Sequence, residues 1–106
     1  MKKYSMLLTS SLLLSNAAHA FGESPAELQE KAARVMAQET GMSRAQINQM
    51  KASIRKNAPD GDVSTCTNYG IALEQNMAES MPSMSDKLSE AIQDFATWGC
   101  VAKNGQ

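Results

Sequence analysis

From residue 24 onward, apolar residues recur at three- and four-residue steps and almost never at alternate positions. That spacing gathers side chains on one face of an α-helix. Ser24-Pro25-Ala26-Glu27 combines a capping serine, proline at the first helical position and a reciprocal glutamate. Leu28, Ala32, Val35 and Met36 follow as its apolar stripe, and Gly41 is placed to end it. Ser43-Arg44-Ala45-Gln46 is a second capping box, with Ile47, Met50 and Ile54 as the stripe and Pro59 as the stop. After the Asp60-Gly61-Asp62 turn, Asp62 or Ser64 caps a third helix carrying Val63, Cys66, Gly70, Leu73 and Met77. Pro82 ends it. Ser83 or Ser85 caps a fourth, with Leu88, Ile92, Phe95 and Trp98 along one side. β-branched and aromatic residues never alternate over four positions, so strands are not expected. The pattern predicts an all-α fold, a small bundle of about four helices spanning roughly 24–40, 43–57, 63–80 and 84–101.

Cys66 and Cys100 lie near the open ends of the last two helices, and position 83, in the bend, is their midpoint. An antiparallel helical hairpin folded there brings the two thiols level. The spacing predicts a Cys66–Cys100 disulfide stapling the C-terminal hairpin, and it is far from the C-x-x-C of redox-active sites. Gly70 falls opposite the Phe95–Trp98 region by the same fold-back, which suggests a close approach of the two helices. The polar end from Lys103 to Gln106 reads as frayed.

The first 20 residues follow another rule. Met1-Lys2-Lys3 is a charged start, Met6 to Leu14 is mostly apolar, and Ala18-His19-Ala20 supplies an A-x-A cleavage signal before Phe21. This is the form of a secretory signal peptide, and the apolar run is far shorter than the roughly 20 residues needed to span a bilayer. Residues 1–20 are therefore expected to be removed, leaving 21–106 as one small helical domain without an integral membrane segment, periplasmic or secreted. In an oxidising compartment two cysteines normally pair, and a chain this short needs the staple.

Composition narrows the chemistry. The chain's one histidine, His19, leaves with the leader, and pairing removes both thiolates. No glycine-rich phosphate loop is present, and the acids Glu74, Glu79, Glu90 and Asp94 read as solvated helix faces. Catalytic residues, a bound cofactor and enzyme activity are not expected. Methionine is the oddity, with six of eight beyond the leader and three of them, Met77, Met81 and Met84, around the bend. Flexible thioethers fill core gaps or line adaptable binding surfaces. They also suit Cu(I), so a small methionine-based copper-handling protein is the alternative.

Charge is uneven. Arg44, Lys51, Arg55 and Lys56 stand on the second helix with no acid among them, whereas acids predominate from Asp60 onward. Arg44, Lys51 and Arg55 flank the Ile47/Met50/Ile54 stripe and are candidate partner contacts, as are Met77, Met81 and Met84. Without the leader the chain is acidic, which argues against nucleic acid. The expectation is an exported, non-catalytic protein that binds an unidentified protein partner through an apolar, methionine-bearing helical surface. Periplasmic stress chaperones and inhibitor or immunity proteins share this format of leader, short helical chain and single disulfide, a likeness of format and not of motif.

Overall fold

A computed structural model describes residues 23–105. The leader and its cleavage site lie outside the described residues. Four helices make up the fold: α1 (Pro25–Thr40), α2 (Arg44–Asn57), α3 (Val63–Ser80) and α4 (Asp86–Lys103). Each begins where its sequence supplies an acceptor for the otherwise unpaired N–H groups of a first turn. Ser24 and Ser43 form full capping boxes with Glu27 and Gln46. Asp62 and Ser85 accept from Thr65 N and Leu88 N at the starts of α3 and α4. Gly41 ends α1 in a left-handed conformation (φ 78°), as a C-terminal glycine does at little steric cost.

The last helix is the centre of the molecule. α4 packs against each of the other three helices, while α3 makes no helix contact except with α4. Its inward side, Leu88, Ile92, Phe95, Ala96 and Cys100, is buried over its whole length. Met36 from α1 and Ile47 and Ile54 from α2 complete the core. Where α1, α2 and α4 converge there is no room for a side chain on α4. A Cβ on Gly99 would stand 2.5 Å from Gln29 Nε2 and 2.9 Å from Ile54 Cγ2. Gln29 is buried there and donates from Nε2 to the Phe95 carbonyl at 3.2 Å, which satisfies an amide taken out of water.

The staple is present: Cys66 and Cys100 are joined, with Cα atoms 5.4 Å apart and both residues fully buried. Gly70 does mark a close approach to α4, but its neighbours differ from the fold-back expectation. A Cβ there would meet Thr97 Oγ1 at 2.2 Å and the Gln93 carbonyl oxygen at 2.7 Å, not the rings of Phe95 and Trp98. Phe95 points into the core and is fully buried; Trp98 is half-buried.

Three local readings change. The buried stripe of α1 is Gln29, Ala32, Ala33 and Met36, so Leu28 and Val35 sit at its edge, half-buried. Val63, at the first turn of α3, is 49% exposed. The last described residues are tied down through Asn104. Its Nδ2 donates to the Pro59 and Cys100 carbonyls (3.1 and 2.9 Å), and its Oδ1 accepts from Gly61 N at 3.2 Å. Lys103 Nζ adds a bond to the Ala58 carbonyl. These contacts lay the 58–61 turn over the disulfide.

Candidate functional site

Only Cys66 and Gly70 of α3 are buried. One small residue and one disulfide bring the helix close to α4, and the longer apolar side chains beside them are left at the border. Tyr69, Leu73 and Met77 follow at four-residue steps and therefore share one side of the helix. Met81, which caps the helix end, continues the series. All four are half-buried and packed against the core from its edge. With neither α1 nor α2 touching α3, only α4 reaches this ridge, and its side chains stay partly open to solvent. Burial raises the pKa of the Tyr69 phenol, and its hydroxyl has no hydrogen-bond partner among the described residues. A half-buried tyrosine with a free hydroxyl suits a surface that receives another molecule.

At the bend the ridge runs into a cleft of about 500 Å³ between the end of α1 and the hairpin turn. Met81, Met84 and Leu88 give it apolar walls, with Glu39 and Thr40 opposite. The turn itself is fixed: Met84 N donates to the Met81 carbonyl (3.1 Å), and Ser85 Oγ donates to Glu39 Oε1 (2.9 Å) while capping α4. The side chains are flexible thioethers on an anchored backbone, a combination that lets a surface adapt in shape without moving the chain.

The methionines divide accordingly. Met36 is 1% exposed and fills the core, whereas Met42, Met50, Met77, Met81 and Met84 are half-buried at its margin. Of the candidates, Met81 and Met84 meet in the cleft, and Met77 lies one turn before Met81 on the ridge. No group of three or more His, Cys, Asp or Glu is arranged to hold a metal among the described residues.

The basic candidates lie elsewhere, since none of them lines the cleft. Arg44 Nη2 and Lys51 Nζ both donate to Glu30 Oε1, at 2.9 and 2.6 Å, and Arg44 Nη1 reaches the other carboxylate oxygen. Two cations on one carboxylate hold Glu30 at about 2, hydrogen bonds from Arg44 and then Lys51 being the main causes. The acid that answers Arg44 and Lys51 therefore comes from α1. Arg55 remains exposed in the last turn of α2 without an ion pair among the described residues, in a position that favours a cation near the helix C-terminus. Among the acids read as solvated, Glu74 is instead half-buried and accepts from Ser89 Oγ at 2.7 Å across the α3–α4 seam.

Sequence reasoning places Leu73 and Met77 on one side of the helix and the methionines at the bend, but it misses Tyr69 and does not join them into a ridge. The four-residue spacing of 69, 73, 77 and 81 is the available signal. No helix among the described residues is long and apolar enough to cross a membrane. No family model, curated protein or solved structure matches the chain.

Proposed function

We propose that this is an exported, non-catalytic binding protein whose ridge of Tyr69, Leu73, Met77 and Met81, with Met84 in the adjoining cleft, receives an apolar segment of a protein partner. The observation that carries the reading is an apolar side of α3 at four-residue steps that its own fold buries only in part. Four-residue ridges of this kind suit a helix or extended apolar segment laid against them. Aromatic and methionine residues are also the types enriched at protein interfaces. Export is supported by the disulfide, which persists in oxidising compartments, and by the leader pattern. The exported form then begins at Phe21, and intact-mass analysis of the periplasmic or culture fraction checks it. Recovery only with residues 1–20 attached contradicts export.

Substitution of the ridge tests the binding. Replacing Met77, Met81 and Met84 together by leucine conserves apolar volume, at under about 1.5 kcal/mol each, and is expected to leave partner co-purification intact. Leu73→Asp with Met77→Asp places charge on the ridge without touching the buried residues of α3, and is expected to abolish it while helical circular dichroism survives. Retention of the partner by the aspartate variant contradicts the ridge reading. Tight Cu(I) binding by the native protein that the leucine variant lacks would replace it with copper handling.

A further inference from the structure

The cleft at the hairpin bend is where two helices end. Glu39 and Thr40, the last residues of α1, and Ser80, the last of α3, line it together with Met81, Met84 and Leu88. A helix C-terminus carries the negative end of the backbone dipole and favours a cation beside it. α2 has Arg55 and Lys56 in its last turn and α4 has Lys103, whereas α1 and α3 have no basic residue there. Neutral donors meet their carbonyls instead. Thr40 Oγ1 donates to the Met36 carbonyl at 2.6 Å, and Ser80 Oγ to the Met77 carbonyl at 3.1 Å. Such bonds satisfy the oxygens without offsetting the charge.

The side chains add to the same sign. Among the described residues lining the cleft, Glu39 is the one charged side chain. It accepts from a neutral hydroxyl, that of Ser85, and makes no ion pair among the described residues. The adjoining α3 carries Glu74 and Glu79 and no lysine or arginine over its 18 residues. Of the cations on α4, Lys87 lines a separate groove with Val35 and Ala91, and Lys103 lies at the far end of the hairpin on the Ala58 carbonyl. An apolar ridge thus leads into a cleft that holds an acid and two helix C-termini without a counter-charge. A neutral apolar segment laid there covers Glu39 and leaves it unanswered. An acidic segment adds like charge. A basic one supplies what both helix ends lack.

We propose that the segment received by the ridge is basic as well as apolar. Its apolar side lies along Leu73, Met77 and Met81, and a lysine or arginine at its end enters the cleft beside Glu39. The proposal rests on the ridge reading and adds the charge of the partner to it.

Three peptides of about 14 residues with blocked ends test it, long enough to cover the roughly 18 Å from Tyr69 to Met81 at 1.5 Å per residue. They share leucines at three- and four-residue steps and differ only in the pair of residues at each end: arginine, glutamine or glutamate. Each carries a fluorophore and is titrated with the disulfide-bonded exported protein, anisotropy being the readout. The arginine peptide is expected to bind about tenfold tighter than the glutamine peptide, with the glutamate peptide weaker still. The preference should narrow as salt rises from about 0.05 to 0.5 M. Glu39→Gln, which keeps an acceptor for Ser85, is expected to cut the preference to about threefold. Glu39→Lys, which supplies the cation from within, is expected to abolish it, with circular dichroism unchanged in both variants. Equal affinity for the arginine and glutamine peptides overturns the proposal, as does a preference undiminished in Glu39→Lys. If the three bind the native protein equally and Leu73→Asp with Met77→Asp loses all three, the ridge stands and only its basic partner falls. Saturation by none of them up to about 1 mM also overturns the proposal and leaves the ridge to be decided by co-purification. Dimerisation of the protein alone in sedimentation, abolished by the same aspartates, makes a second copy the occupant and overturns it too.

Discussion

Gly70 and Gly99 carry more of this fold than their size suggests. Each is the point at which another helix meets α4, and each would place a Cβ under 3 Å from an atom already there. At Gly70 one of those atoms is a backbone oxygen, which cannot rotate away. Gly70→Ala gains about 1 kcal/mol of helix propensity but forces the seam apart, and such overpacking costs about 1–3 kcal/mol. The expected sum is destabilisation in denaturant unfolding. Titration separates two acids of opposite sign. Glu30 is held at about 2, so its contribution is full above roughly pH 4.5 and is lost as pH falls through about 2. Glu30→Gln should lower stability at neutral pH by up to about 1 kcal/mol, as expected for a partly exposed pair, and match the native protein near pH 2. Burial, and then the charge of Glu90, hold Asp94 above its ordinary value, so the native protein loses stability as pH rises through about 6. Asp94→Asn should raise Tm at pH 7 and leave it unchanged near pH 4. Thermal melts across pH check both. Gln29 shows where residue-level reading stops. Its spacing with Ala32, Ala33 and Met36 is helical, but a glutamine is assigned to water unless its acceptor, the Phe95 carbonyl 66 residues away, is known.

At the scale of elements, the helices are legible because each carries its own start and stop. Ser24 and Ser43 with their reciprocal Glu27 and Gln46 need no tertiary information, and the observed boundaries lie within two residues of expectation. The hairpin and its staple are legible from symmetry about the Pro82 bend. What the local pattern does not hold is helix rotation. A small rotation in which side of α1 faces α4 replaces Leu28 and Val35 with Gln29 and Ala33 in the buried stripe, and Gly99 on the other helix leaves the space that Gln29 occupies. The tail escapes local reading for a related reason, because the acceptors that order Asn104 lie in the distant 58–61 turn. Closing a loop between residues 34 apart is worth about 4 kcal/mol on the chain-entropy estimate. Cys66→Ala with Cys100→Ala should therefore cost about 2–5 kcal/mol in chemical denaturation, a large share of the roughly 5–15 kcal/mol typical of small proteins. Asn104→Ala should cost less, about 1 kcal/mol for its hydrogen bonds, and should speed reduction of the disulfide, because the 58–61 turn then no longer closes over the sulfurs.

For the whole molecule, the decisive fact is that α4 is shared and the other helices are not evenly distributed around it. The disulfide and the close approach at Gly70 hold α3 against α4 without fully burying its longer apolar side chains. The fold thus keeps an apolar ridge in place while leaving it half-exposed. Methionines at its end, packed against the margin of the core, add adaptability, and the Ser85–Glu39 hydrogen bond fixes the turn that carries them. The basic edge of α2, by contrast, is largely answered within the molecule by Glu30, which leaves the ridge as the stronger candidate for contact with a partner. Site-specific photo-crosslinking in the producing cells tests this most directly. A diazirine amino acid is placed at Leu73, Met77 or Met81 in turn, and at the exposed positions Asn48 and Ala102 as controls. The account predicts one adduct of the same mass from the three ridge positions and none from the controls. No adduct from the ridge, or the same adduct from every position, would contradict it.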